Sequence, residues 1–142
     1  MKARGFALVS AIFILVVLAA LGAFMLSVSS SQQIGSALDV QGVRAYQAAR
    51  AGIEWGLYRQ LRENYCAGGV QTNSFQPGAA AFAGFTVTVV CTPTADPGGF
   101  GGPTVYRLEA TACNQPDGVP AACPNTNNPG QFYVERRLDV SF

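Results

Sequence analysis

The stretch MKARGFALVSAIFILVVLAALGAFML, residues 1–26, decides how the rest of the chain is read. From Phe6 to Leu26 it carries no charge, and its only polar side chain is Ser10. At about 1.5 Å rise per residue a helix over this run is about 31 Å long, close to the hydrocarbon thickness of a bilayer. Lys2 and Arg4 precede the run, and no Lys or Arg follows until Arg44. That asymmetry holds the amino end on the cytoplasmic side and predicts export of the remainder.

Three fates are open to such a segment. Signal peptidase finds small residues at Ala20-Leu21-Gly22, so a cut near Gly22 releases the rest. An uncut signal anchor is the second. The third is a cut at one place followed by retention of the helix. It is suggested by the charge stopping at Gly5, with Phe6 and the apolar run following and no polar spacer between.

Composition narrows the function classes. In 142 residues with 49% apolar content, the membrane-length run leaves room for one small folded domain. Net charge is +1, with nine Lys and Arg against eight Asp and Glu, so no basic face gathers phosphates and nucleic acid is not an expected partner. Histidine is absent, which removes the usual neutral-pH general base and the commonest metal ligand. The reading is not an enzyme, with no cofactor and no metal.

Beyond the run the helical pattern continues. Leu38, Tyr46, Ala49, Ile53, Leu57 and Leu61 fall within one arc of a 3.6-residue helix and predict a packed stripe. Beside them Gly42, Ala45, Ala49, Gly52 and Gly56 form a small-residue row that lets a sheet approach closely. Arg44, Arg59, Arg62 and Glu63 fall on other faces and read as solvated. Trp55 points away from the stripe, either under a loop or toward a neighbouring subunit. The segment SVSSSQQIGS from Ser27 combines serines with a glycine, and bending or partial melting is expected between Ser27 and Gly42 when the environment changes.

After Asn64 turn signals appear at Gly68-Gly69 and Gln76-Pro77-Gly78. Strands are expected at 85–91 (FTVTVVC), 105–112 (VYRLEATA) and 131–142 (QFYVERRLDVSF). Alternation in the last two predicts one buried and one wet face, with Arg136 as the exception on the apolar parity. The fold class is therefore α+β, one long helix laid on a small antiparallel sheet.

Cys66, Cys91, Cys113 and Cys123 all lie beyond the membrane run, and none forms a Cys-x-x-Cys pair. Disulfides in an oxidising compartment fit better than zinc. Three pairings are possible. The favoured one joins Cys113 to Cys123 across CNQPDGVPAAC and Cys66 to Cys91 between helix end and first strand. The loops DPGGFGGP at 96–103 and PNTNNPG at 124–130 lack the spacing of a calcium loop, although Asp96 and Asp117 supply carboxylates.

The Gly5-Phe6 junction before the apolar run resembles the class III signal of type IV prepilins and pseudopilins. The stretches RGFALVSAIFILVVLAALGA and AYQAARAGIEWGLY look like the PilX-like group of minor pilins, and within it the P component of mannose-sensitive haemagglutinin pilus biogenesis. The resemblance implies a pilin-like fold with residues 1–5 as leader, 6–26 as transmembrane helix, 27–64 as its amphipathic continuation and 65–142 as a periplasmic sheet domain. It implies cleavage by prepilin peptidase between Gly5 and Phe6 and N-methylation of Phe6. Major pilins carry glutamate as the fifth residue after the cut, and here Ser10 stands in that place. A carboxylate in lipid is costly unless paired, and serine needs no partner.

The function implied is a low-copy minor pilin of an initiating or tip complex. The expected partners are other pilin subunits, prepilin peptidase, the inner-membrane pilus assembly machinery and membrane lipid. The expected location is the inner membrane, single-pass, and then the pilus. A minor pseudopilin of type II secretion and a secreted or anchored periplasmic binding domain are the alternatives.

Overall fold

The computed structural model describes residues 4–95 and 102–142, and the elements follow in the order helix, strand, a 3-10 turn at Ala80–Phe82, then three more strands. Helix α1 runs Arg4–Glu63, and the strands are β1 (Gln71–Phe75), β2 (Thr86–Thr94), β3 (Val105–Cys113) and β4 (Glu135–Ser141). Contacts divide the chain into two units, Met1–Ala37 and Leu38–Phe142.

In the first unit the described chain is helix alone. The serine-rich segment is helical here, and Ser36 Oγ donates to the Gln32 carbonyl one turn back at 3.1 Å. That bond is the local competition anticipated for serine, here satisfied without breaking the helix.

In the second unit the sheet is antiparallel in the order β1-β2-β3-β4. Its register sets Val87 opposite Ala112, Val89 opposite Ala110 and Cys91 opposite Leu108, with Ala110 opposite Leu138 on the far side. These side chains share the face that meets α1. The core consists of Ala45, Ala48 and Ala49 from the helix against Phe85, Val87, Val89, Cys91, Leu108, Ala110, Ala112 and Val134. The helix therefore meets the sheet through its smallest residues. A Cβ placed on Gly52 would lie 2.6 Å from Val87 Cγ1, and one on Gly56 3.0 Å from Leu108 Cδ2. Only residues without a side chain allow so close an approach.

Four features differ from the sequence reading. Tyr46 and Leu61, placed in the packed stripe, are 44% and 72% exposed, because the buried arc is rotated onto the alanine and glycine row. A fourth strand, β1, occupies a segment read as loop; it is the polar sequence QTNSF at a sheet edge, where hydrophobic alternation is weak. The strand expected at 85–91 extends to Thr94, taking Pro93 opposite Tyr106, and the one expected at 131–142 starts only at Glu135. The helix ends at Glu63, and Asn64 at φ 51° turns the chain out in the left-handed region while its N–H reaches the Gln60 carbonyl at 3.0 Å.

The opposite face of the sheet is not simply wet. Thr86, Thr88 and Thr111 are buried on it, beneath the chain that returns from β3 to β4. Thr88 Oγ1 accepts the Cys123 N–H at 2.8 Å and lies 2.9 Å from Ser74 Oγ, which ties that return segment to β1 and β2. Further along the same face Arg107 pairs with Asp139 and Arg137 with Glu109, each at 3.4 Å, across the β3–β4 ladder.

Candidate membrane anchor and assembly face

The candidate anchor rests on one property of the first unit, that its apolar side chains are uncovered. Leu8, Val9, Ile12, Phe13, Ile14, Leu15, Val16 and Leu18 are all more than half exposed. Leu21, Phe24, Met25 and Leu26 continue the pattern on every side of the helix. A helix satisfies its own backbone hydrogen bonds, so such a segment is suited to hydrocarbon and poorly suited to water. It is one helix long and apolar enough to cross a membrane. Gly5 and Phe6 are helical in backbone, and their side-chain surroundings lie outside the described residues. Ser10 is half-buried on the apolar run.

Two disulfides mark the second unit. Cys66 joins Cys91 and Cys113 joins Cys123, the favoured pairing of the three. The first fixes the chain leaving α1 to the centre of β2. Gln60, buried near the helix end, supports that junction by accepting the Cys66 N–H on its Oε1 at 2.8 Å. The second closes the loop after β3. Disulfides of this kind persist in oxidising compartments. Sequence reasoning missed Gln60, since a glutamine on a helix gives no signal that it caps a chain six residues on.

Trp55 packs inside its own domain. It meets Tyr65 edge-on at 5.6 Å and Phe75 at 5.2 Å, which settles it under the β1 connection. Arg59, expected on a solvated face, lies in that cluster instead. Its guanidinium sits 5.7 Å from the Trp55 ring and 5.3 Å from Tyr65, while Nη1 pairs with Glu63 at 2.5 Å. The aromatic planes and the carboxylate compensate for partial burial of the cation.

The return segment after β3 is organised by amide side chains rather than apolar ones. Asn114 exchanges bonds with the chain before β4, its Nδ2 donating to the Phe132 carbonyl and its Oδ1 accepting the Val134 N–H at 2.8 and 2.9 Å. Asn125 Nδ2 donates to the Gln115 carbonyl at 3.0 Å, and Gln115 Oε1 accepts the Gly130 N–H. The Tyr133 hydroxyl donates to Glu135 Oε2 at 2.5 Å and accepts the Asn125 N–H at 3.0 Å. Burial, and then the bond to Glu135, push the Tyr133 hydroxyl above its ordinary value of 10.0. Asp117 contacts Asn127 and closes a tight turn with Ala122, a local structural task. Asp96 and most of the loop at 96–103 lie outside the described residues. Among the described residues no three acidic or cysteine side chains converge as a metal set.

One groove lies open on the helix. It is lined by Asp39, Gly42, Val43 and Tyr46 of α1 and by Arg136 of β4. Arg136 is the residue that broke the apolar parity of the last strand. Its guanidinium rests over Gly42, where an added Cβ would be 2.9 Å from Nη2. Comparison of the chain with protein-family models, with curated proteins and with solved structures gives no match.

Proposed function

We propose that this chain is a minor type IV pilin, made as a prepilin, cut between Gly5 and Phe6, N-methylated at Phe6 and held in the inner membrane by residues 6–26. Other pilin subunits and the assembly machinery would then draw it by its helix into an initiating or tip complex. The observation that carries the reading is the uncovered apolar run of α1 from Leu8 to Leu26, ahead of a disulfide-bonded domain. A signal-peptidase cut near Gly22 would fall inside that helix and discard most of its apolar run.

Ser10 favours a low-copy role. A shaft subunit that repeats through lipid benefits from a paired carboxylate for recognition, and a serine supplies none. Prepilin peptidase co-expression tests the proposal. The wild-type chain is expected to shorten by its five-residue leader and Gly5→Leu to remain full-length, because the residue before the cut must lie close to the protease backbone. Equal processing of both, or release of a protein starting near Ala23, removes the reading and favours the secreted domain.

A further inference from the structure

The sheet ends in two edge strands of different character. β1 on one side is five residues long and polar, QTNSF, and a short polar edge offers little to an incoming strand. β4 on the other side is seven residues long, and Leu138 and Val140 continue through it the apolar parity of Val134 and Phe142. Among the described residues β4 pairs with β3 alone. Tyr106 and Phe142 exchange both backbone bonds, at 2.9 and 3.0 Å. Such pairs alternate along an antiparallel ladder, so Arg136, Leu138 and Val140 also turn their N–H and C=O toward β3, while Glu135, Arg137 and Asp139 turn theirs outward. An apolar row beside a row of open backbone groups is a template for another strand.

Arg136 interrupts both rows. It stands on the parity that faces α1, opposite the buried Ala112, where an apolar residue would continue the pattern. Its Nη1 donates to the Glu135 carbonyl at 2.9 Å, the first outward acceptor of the strand. The guanidinium also lies over Gly42, in the groove between α1 and β4 where a fifth strand would set its inward side chains. A strand added there would have to displace the bond to Glu135 and strip water from the guanidinium and from Asp39 of the same groove. Removing charges from water is costly even where they can pair.

We propose that Arg136 closes the free edge of β4 to a further strand, so that the sheet stops at four strands and the domain does not extend edge to edge with another chain. Arg137 does not share this task. It stands on the opposite face and reaches Glu109 across the ladder at 3.4 Å, which leaves the edge itself uncovered. The inference goes beyond the assembly reading and does not depend on it, since cleavage at Gly5 is read from the amino terminus and stands or falls separately.

The test uses the full chain in detergent micelles, with intact disulfides and wild-type Trp55 emission as the check on folding. Sedimentation reads self-association, and backbone amide exchange reads the edge. In the wild type the Arg137 and Asp139 amides are expected to exchange at least about tenfold faster than those of Leu138 and Val140. Arg136→Val is expected to raise self-association about tenfold and to slow the Arg137 and Asp139 amides as copies pair. Arg136→Thr, which removes the charge without adding a large apolar surface, is expected to act in the same direction by about threefold or more, and it decides the matter if the valine variant fails the folding check. Adding Asp139→Pro removes an outward N–H and no bond to β3, and is expected to return Arg136→Val to within about threefold of wild type. Arg137→Val is expected to stay within about threefold of wild type. Arg136 variants no more associated than wild type, association that survives Asp139→Pro, equal association of Arg137→Val, or wild-type edge amides as slow as that of Leu138 would overturn the inference.

Discussion

Replacing Gly52 by alanine tests whether the smallness of the helix face holds this domain together. The added methyl carbon would arrive 2.6 Å from Val87 Cγ1, 3.0 Å from Ala110 Cβ and 3.2 Å from Val89 Cγ2. All three neighbours sit on paired strands, so none can swing aside, and the helix must lift from the sheet. Overpacking of this kind costs about 1–3 kcal/mol, whereas exchanging glycine for alanine inside a helix returns up to about 1 kcal/mol. The net expectation is a loss of up to about 2 kcal/mol. Gly42→Ala is the control, because the three atoms nearest its Cβ all belong to the end of the Arg136 side chain. There the guanidinium moves away and the helix-propensity gain survives, for a net gain of up to about 1 kcal/mol. Urea unfolding in micelles, followed by the single tryptophan, Trp55, reads both variants. Gly52→Ala as stable as Gly42→Ala would refute the close-approach argument.

Three further outcomes are expected. Replacing Cys66 and Cys91 by alanine should cost about 3.5 kcal/mol, and replacing Cys113 and Cys123 about 2.7 kcal/mol, by the loop-entropy relation for separations of 25 and 10 residues; urea midpoints of the two variants in the reverse order would contradict it. The twelve Leu, Ile, Val and Phe side chains exposed between Leu8 and Leu26 favour insertion by about 4–7 kcal/mol together, and two central arginines oppose it by about 5–7. Leu15→Arg/Leu18→Arg should therefore leave the membrane fraction on carbonate extraction, and continued insertion would show that the run is not the anchor. Tyr133 has its folded-state value raised, so the stability it contributes is complete below pH 10.0 and is lost as pH climbs through the higher folded-state value. Tyr133→Phe should flatten the alkaline fall in urea midpoint above that pH, and an unchanged slope would count against the buried hydroxyl.

The parts of the fold that declare themselves in sequence are those governed by polarity over long stretches. The charge boundary at Gly5, the uncharged run to Leu26 and the alternation in Val105–Cys113 each report one dominant force, transfer of side chains out of water. The position of the helix on the sheet was legible only in part. A search for bulky apolar residues selects Tyr46 and Leu61, but the sheet packs against Ala45, Ala48, Ala49, Gly52 and Gly56, where close approach rather than hydrophobicity decides.

Polar structure was the least legible. The strand Gln71–Phe75 reads as loop because an edge strand needs no hydrophobic alternation once Ser74 and Thr88 share a bond across the ladder. Gln60 and Asn114 take their roles from backbone groups 6 and 20 residues away, and nothing in local sequence announces such pairings. Arg136 did stand out, as a charge on an apolar parity, and it lines the groove over Gly42.

The central claim is that the apolar helix survives maturation with a new amino terminus, and the mass of the mature protein's first peptide tests it most directly. The account predicts a peptide that begins at Phe6 and carries one methyl group on its amine. A mature chain beginning near Ala23 would contradict it.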